Sequence, residues 1–193
     1  MKKTMLVLSI LSIILYACKD EDVINQNDLT STQGTQDHLT AEQIFNDAGR
    51  MVENGFTDNG QNKGCVSYSL LNADTSNIDT LIIDFGTTDY LCEGKLRNGK
   101  IIVTYTGKYR DSLSVITTSF DNYHVDYNLV QGEQIITNQG RNNKGNMWFR
   151  IEVNNASINT TNGIINWESS RVREWVSGQN TYFNISDDRY MIT

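Results

Sequence analysis

The stretch MWFRIEV, residues 147–153, is the part of the sequence that best defines the fold. Its residues form two alternating sets, with Met147, Phe149, Ile151 and Val153 in one and Trp148, Arg150 and Glu152 in the other. Successive side chains of a β-strand point to opposite sides, so this period of two predicts a strand with one buried face.

The same period recurs along the chain from Cys65 onward. It is clear in Leu81 to Phe85 and Ile101 to Tyr105, and further β-rich runs are Ser114 to Phe120, Leu129 to Asn138 and Ile164 to Trp167. Asn/Gly/Asp clusters separate these runs, and the chain contains no proline. Seven or more strands with short turns predict a mainly β fold, an antiparallel β-meander arranged as a sandwich or as one strongly curved sheet.

One helix is predicted before the strands, over residues 40–54. Thr40 can act as N-cap with Gln43 three residues later, and Gly55 is placed to end the helix. An apolar stripe at helical spacing predicts that one face packs against the sheet; its members are Ile44, Ala48, Met51 and Val52, with Phe45 beside it. Helix and strands together predict a single domain over residues 39–193.

The N-terminus has the pattern of a lipoprotein signal peptide over residues 1–17. Lys2 and Lys3 precede an apolar run of eleven residues, Met5 to Leu15, which is too short for a membrane span of roughly 20 residues. Leu15 to Cys18 then resembles a bacterial lipobox, which predicts lipidation (palmitate among the acyl chains) of Cys18. Each buried CH₂ of such a lipid adds about 0.8 kcal/mol of membrane affinity.

Residues 18–38 after the lipobox are predicted to be a flexible tether, because they contain too little apolar surface to offset the entropy of ordering. The tether begins with Lys19 and three acidic residues, a pattern similar to the export signal of surface lipoproteins in some Gram-negative bacteria. We expect the protein to be anchored to the outer membrane, facing either the cell surface or the periplasm.

The segment from Cys65 to Gly178 resembles a family of small, uncharacterised bacterial lipoproteins. The resemblance is carried by Ile83 to Gly86, Cys92, Arg97, Gly99 to Val103, Thr106-Gly107, Tyr109-Arg110, Ile116 to Thr118, Phe120, Tyr123, Gly132, Thr137-Asn138 and Arg173 to Trp175. It implies a lipoprotein with a β-rich domain, and it implies no activity, cofactor or catalytic residue.

The charge of the chain excludes one class of partner. The formal net charge is −7, and removal of residues 1–17 would change it to −9 because Lys2 and Lys3 are the charged residues lost. An acidic protein repels nucleic acid, so we expect no nucleic-acid partner.

Three cysteines are present, and lipidation of Cys18 would leave Cys65 and Cys92. An even pair in an exported chain favours a disulfide over two free thiols or a metal or redox role. The closed loop would contribute roughly 3 to 4 kcal/mol on the chain-entropy model.

A candidate ligand site is formed by Trp167, Arg171, Arg173 and Trp175, which share one side of the chain if Ile164 to Val176 is an extended strand. Tryptophans with guanidinium groups between them would make a ledge for stacking a sugar or holding an anionic glycan. The alternatives are core tryptophans with arginines paired to acids at a strand edge, or a short helix over Ser169 to Ser177, which would separate the four side chains.

No coherent catalytic set and no cofactor motif is recognisable. Two histidines, His38 and His124, are too few for a catalytic zinc site, and we expect no metal. The leading hypothesis is therefore a non-enzymatic, membrane-anchored lipoprotein that serves in envelope structure or binds a glycan or a protein. The alternatives are a carrier of an apolar ligand between the helix and a curved sheet, and a carbohydrate-active enzyme using paired carboxylates such as Glu168 and Glu174.

Overall fold

The computed structural model describes residues 26–57, 64–71, 78–181 and 185–193. The predicted signal peptide, Cys18 and residues 19–25 of the predicted tether lie outside these residues. Residues 36–193 form one compact unit. The elements are helix α1 (Gln26–Thr57), strands β1 (Ser67–Leu71), β2 (Asp79–Asp84), β3 (Tyr90–Cys92), β4 (Lys95–Tyr105), β5 (Val115–Val125), β6 (Asn128–Arg141), β7 (Met147–Thr160), β8 (Gly163–Ser177) and β9 (Arg189–Ile192), and a 3₁₀ turn at Ile185–Asp187.

The prediction of a mainly β meander is confirmed, and the structure selects the curved sheet over the sandwich. All nine strands belong to one antiparallel sheet, in which eight follow the order β1-β2-β4-β5-β6-β7-β8-β9 and β3 pairs with β4 beside β2. Strand β2 pairs with one half of β4, and β3 pairs with the other half, at Lys95 to Arg97. The C-terminal strand β9 pairs with β8 and forms one edge of the sheet.

The curvature has a local cause in a line of irregular residues across four adjacent strands. The register shifts at Gly99 in β4, near Asn122 in β5, at Gly132 in β6 and at Asn155 in β7. These residues have positive φ angles of 80°, 47°, 103° and 50°, respectively. They also touch in pairs, since a Cβ on Gly132 would lie 2.7 Å from the Asn155 carbonyl oxygen. Bulges bend strands and increase their twist, so this line lets a single sheet curve around α1.

Helix α1 differs from the prediction at both ends. It begins at Gln26 rather than after Thr40, so Thr40 is not an N-cap and residues 26–38 of the predicted tether are helical. Each further residue of an established helix adds one hydrogen bond, and no proline interrupts the extension. Gly55 does not end the helix either. A Cβ at Gly55 would lie 2.9 Å from a Leu81 methyl carbon, so close packing on the sheet explains this glycine.

The predicted apolar stripe packs on the concave face of the sheet, the face that contacts α1. Phe45 is fully buried, with its ring centroid 5.5 Å from that of Phe120 and 5.4 Å from that of Trp167. Near the end of the helix, Phe56 and Tyr105 are in edge-to-face contact at 4.9 Å. The helix side chains at the centre of this layer are at most 6% exposed: Ala41, Ile44, Phe45, Ala48, Met51 and Val52.

A buried ion pair also fastens α1 to the sheet. Arg97 of β4 is 0% exposed and donates two hydrogen bonds to the Asp47 carboxylate, at 2.7 and 3.0 Å. Burial alone would raise the pKa of Asp47, but hydrogen bonds from Arg97 and then Arg50 outweigh it and hold that pKa below its usual value. Asp47 is therefore ionised at neutral pH and neutralises the buried guanidinium.

The predicted disulfide between Cys65 and Cys92 is confirmed, with the two Cα atoms 5.4 Å apart. It joins the segment before β1 to the last residue of β3. The next residue, Glu93, accepts hydrogen bonds from Arg50 and Asn54 of the helix. The disulfide thus holds the turn that contacts α1.

Candidate functional site

The four predicted ligand-binding residues share one face of β8, as expected of an extended strand, but they do not form an exposed ledge. Strand β8 runs without a break from Gly163 to Ser177, which rules out the alternative of a short helix. The shared face is the concave one, and Trp167 and Trp175 are only 7% and 1% exposed. This face is covered because α1 and the β4–β5 connection pack against it.

Trp167 and Arg171 serve to hold the helix. The indole N–H of Trp167 donates to Nδ1 of His38 at 3.0 Å. Arg171 donates to the carboxylate of Glu42 and, at 2.8 Å, to the side-chain oxygen of Asn46. Both side chains are used in packing α1 on the sheet and are not available as a sugar platform.

Arg173 and Trp175 lie in a second cluster, which we call the arginine–aromatic cluster: Tyr109, Arg110, Phe149, Arg173, Trp175 and Tyr190. The Arg110 guanidinium carbon lies 4.1 Å above the Trp175 ring, and the Trp175 and Tyr190 ring centroids are 5.5 Å apart. The Arg173 guanidinium carbon is 5.1 Å from the Tyr190 centroid and 5.4 Å from that of Tyr109. Cations above aromatic rings are attracted by the ring quadrupole, so the stack is self-supporting.

Two polar side chains position this cluster. The Asn138 amide, in β6, donates to the Tyr109 carbonyl oxygen at 3.0 Å and fixes the β4–β5 connection. Gln179, just after β8, accepts a hydrogen bond from Arg110 on its carbonyl oxygen at 3.2 Å and one from Arg141 on its side-chain oxygen at 2.8 Å. The cluster is therefore built from the β4–β5 connection and strands β7, β8 and β9, with support from β6 and from the residue Gln179 after β8.

Arg173 is the electrostatically unusual member. It is half-buried, and among the described residues its guanidinium has one hydrogen-bond acceptor, the Tyr109 hydroxyl, while its Nε–H has none. By contrast, four other arginines each contact a carboxylate: Arg50, Arg97, Arg150 and Arg171. Arg173 therefore has an unused donor and no carboxylate within ion-pair distance among the described residues, although Glu53 and Asp188 act electrostatically on the neighbouring Tyr109 and Tyr190.

The neighbouring phenols do not supply the missing negative charge. Burial, partly opposed by Arg173, raises the pKa of Tyr109 to about 12. Burial and then the nearby Tyr109 and Asp188 also raise the pKa of Tyr190. Both tyrosines are therefore neutral at physiological pH, and the positive charge of Arg173 is not compensated by them.

The surroundings of the cluster are less acidic than the chain as a whole. The connections β4–β5, β6–β7 and β8–β9 leave the sheet at the same end, which we call the loop end. The described residues of these connections contain three basic and three acidic side chains, and the adjoining strand ends at 141, 173–177 and 189–190 add three basic residues and Glu174, against a net charge of −7 for the chain. The basic residues are Lys108, Arg110, Arg141, Lys144, Arg173 and Arg189.

The carboxylates considered for glycosidase chemistry are not brought together. Glu168 and Glu174 lie six residues apart on extended β8, roughly 20 Å at about 3.3 Å per residue, whereas glycosidase pairs lie roughly 5 to 10 Å apart. Hydrogen bonds from Asn146 and Asn142 lower the pKa of Glu174, so it is ionised and unsuited to act as a general acid. Within the described residues, no three His, Cys, Asp or Glu side chains are grouped to hold a metal ion.

The sequence did not indicate that Arg110, Phe149 and Tyr190 belong to the candidate site. The available signal was the alternation in MWFRIEV, which places Phe149 on a buried face. The contact of Phe149 with Arg173 could not be predicted from the sequence. The pairing of Phe149 with Arg173 and of Arg173 with Ile192 depends on the strand order.

Comparison with protein-family models, with curated proteins and with solved structures gave no match. The resemblance to small bacterial lipoproteins stays a prediction. No helix among the described residues is long and apolar enough to cross a membrane.

Proposed function

We propose that this protein is a non-enzymatic lipoprotein, anchored to the outer membrane through Cys18, whose β domain binds an anionic glycan at the arginine–aromatic cluster. The observation that carries the binding proposal is the half-buried Arg173, which has no carboxylate partner among the described residues. The lipobox and the acidic run after it support the anchor and an orientation toward the cell surface, with the periplasm as the alternative.

The ligand class follows from the side chains around Arg173. A planar guanidinium forms paired hydrogen bonds with carboxylate or sulfate groups, and aromatic rings stack against the apolar faces of sugars. Tyr190 is 37% exposed and lies beside Arg173, so it offers a ring face at the surface. An acidic sugar satisfies both groups at once.

A carrier function requires space for an apolar ligand between the helix and the sheet. The concave face is instead occupied by side chains of α1, among them the fully buried Phe45 and Met51. This packing favours a surface ligand over an enclosed one.

Fractionation of a Gram-negative host that expresses the full chain tests the anchor. Wild type is expected in the membrane fraction, and Cys18→Ala in the soluble fraction. A Cys18→Ala protein that remains bound to the membrane would remove the lipoprotein proposal. A mass spectrum of the mature N-terminus provides a second, direct measurement.

Binding is tested with the full chain carrying Cys18→Ala on an array of uronic-acid, sialic-acid and sulfated oligosaccharides and their neutral counterparts. Loss of a charge-assisted hydrogen bond costs about 1.5 to 3 kcal/mol, so Arg173→Gln should weaken binding roughly 10- to 150-fold. Arg189→Gln is the matched control. It removes the same charge nearby, but this exposed arginine contacts only backbone oxygens among the described residues.

The proposal predicts that acidic glycans bind, that Arg173→Gln loses them and that Arg189→Gln largely retains them. Equal losses in the two variants would indicate a nonspecific charge effect. Capture of an acidic protein without binding of any glycan would point to a protein partner and would overturn the glycan assignment.

A further inference from the structure

The third tryptophan, Trp148, lies on the convex face of the sheet, the side away from α1. Strand alternation puts it opposite to Phe149, which is fully buried on the concave face. Trp148 borders a shallow depression of about 260 Å³ between β6, β7, β8 and the residue after β9. The residues around it are Gln139, Trp148, Arg150, Ser170, Arg171, Val172 and Thr193, and the guanidinium of Arg171 is directed to Glu42 on the other face.

Trp148 differs from the other two tryptophans in its contacts. Trp167 stacks near Phe45 and donates its N–H to His38, and Trp175 is covered by Arg110. Within the part of the chain that the structure describes, the half-buried Trp148 ring has no aromatic or cationic partner and its N–H has no acceptor. One ring face and one donor are therefore available at the surface.

Polar groups with unused hydrogen-bonding capacity surround this ring. Neither the Gln139 amide nor the Ser170 hydroxyl has a hydrogen-bond partner among the described residues. Arg150 forms an ion pair with Glu152 at 3.2 Å, and Arg171 pairs with Glu42, so the arginines add no net positive charge to the depression. The depression thus combines an aromatic face with an amide, a hydroxyl and a neutralised guanidinium.

We infer that this depression binds a neutral pyranose unit of a glycan. The C–H face of a pyranose stacks on the indole, and its hydroxyl groups exchange hydrogen bonds with Gln139, Ser170 and Arg150. The volume is somewhat below the roughly 300 to 1,000 Å³ of pockets for drug-sized ligands, which suits one sugar unit. This site lies on the opposite face from the arginine–aromatic cluster and does not depend on the function proposed there.

Titration with methyl glycosides of glucose, galactose, mannose and N-acetylglucosamine, followed by an array of neutral oligosaccharides, tests the inference. The full chain carrying Cys18→Ala is compared with the additional variants Trp148→Ala, Gln139→Ala and Arg173→Gln. Removal of the stacking ring is expected to weaken binding roughly tenfold or more, and Gln139→Ala several-fold, which corresponds to one hydrogen bond. Arg173→Gln should leave neutral-sugar binding unchanged.

The outcomes separate the two sites. Binding of neutral sugars that is lost in Trp148→Ala and kept in Arg173→Gln supports the inference, whatever happens with acidic glycans. No neutral sugar bound by wild type, or equal binding by Trp148→Ala, overturns it. If Trp148→Ala unfolds at the assay temperature, Gln139→Ala decides the question, because the Gln139 side chain makes no hydrogen bond to another described residue whose loss would destabilise the fold.

Discussion

Asp47→Ala is expected to lower the free energy of unfolding by about 3 to 5 kcal/mol, the cost of breaking a buried ion pair by removing one partner. The structure explains this magnitude. Arg97 is 0% exposed, and without Asp47 its remaining described acceptors are the Tyr123 hydroxyl and the Cys92 carbonyl oxygen. Neither neutralises the guanidinium. Native proteins have about 5 to 15 kcal/mol of stability, so this variant should be close to unfolding.

The matched control is Glu152→Ala, which removes a carboxylate from an exposed ion pair. Its partner Arg150 is 55% exposed and Glu152 is 35% exposed, so the pair is screened by water. Exposed pairs contribute roughly 0 to 1 kcal/mol. Urea unfolding of the two variants and wild type, analysed by linear extrapolation at equal slope, measures the difference.

The pH dependence gives an independent check of the same reasoning. The pKa of Asp47 is lower in the folded protein than in the unfolded chain, where it is about 3.9. The stabilisation by the ion pair is therefore fully present above this unfolded-state pKa and is lost as pH falls through the folded-state pKa. The gap between wild type and Asp47→Ala should therefore narrow at low pH. A cost no larger than that of Glu152→Ala, or a gap that does not change with pH, would refute the argument.

Three further predictions concern the disulfide, the line of bulges and a buried phenol. Replacing Cys65 and Cys92 by alanine should lower the free energy of unfolding by about 3 to 4 kcal/mol, because the disulfide restricts the unfolded chain over a sequence separation of 27. Urea unfolding measures this loss, and a loss below about 1 kcal/mol would contradict the prediction. Gly132→Ala should lower the melting temperature far more than Gly145→Ala. Both glycines have positive φ, but of the two only Gly132 has backbone atoms 2.7 Å from where the Cβ would lie. Equal shifts in melting temperature would mean that the backbone of the bulge adjusts easily. Tyr109 has a pKa of about 12 in the folded state, so its contribution to stability is present below about pH 10 and is lost between about pH 10 and 12. The free energy of unfolding of Tyr109→Phe should therefore fall less over this pH range than that of wild type. Identical pH dependence in the two proteins would contradict the prediction.

Local pattern was sufficient for most of the fold. The alternation in β2, β4 and β7 predicted the buried sides of these strands correctly. The disulfide was predicted because assigning Cys18 to lipid leaves one pair of cysteines. The helix limits were less readable. Thr40 has the chemistry of an N-cap, but the helix continues through it, and Gly55 looked like a terminator although Leu81 and Tyr68 are the reason for it. Capping patterns describe what a residue can do locally, and packing decides whether it does so.

The candidate site shows the limit of sequence reasoning most clearly. Strand parity correctly placed Trp167, Arg171, Arg173 and Trp175 on one face of β8. Parity says nothing about what covers a face, and here a helix 129 residues earlier in the chain covers the first two. The β4–β5 connection, 64 residues before Arg173, supplies Tyr109 to Arg173 and Arg110 to Trp175.

The sequence by itself determined which side chains share a face and how acidic the chain is, because these follow from backbone periodicity and from composition, and it favoured the disulfide that the structure contains. The tertiary structure decided that one glycan ledge is in fact two separate clusters, that Arg173 lacks a described carboxylate partner, and that Trp148 faces the surface. Those properties depend on contacts between residues far apart in the chain. Such contacts are set by the bend in the sheet and the docking of α1, which no local pattern encodes.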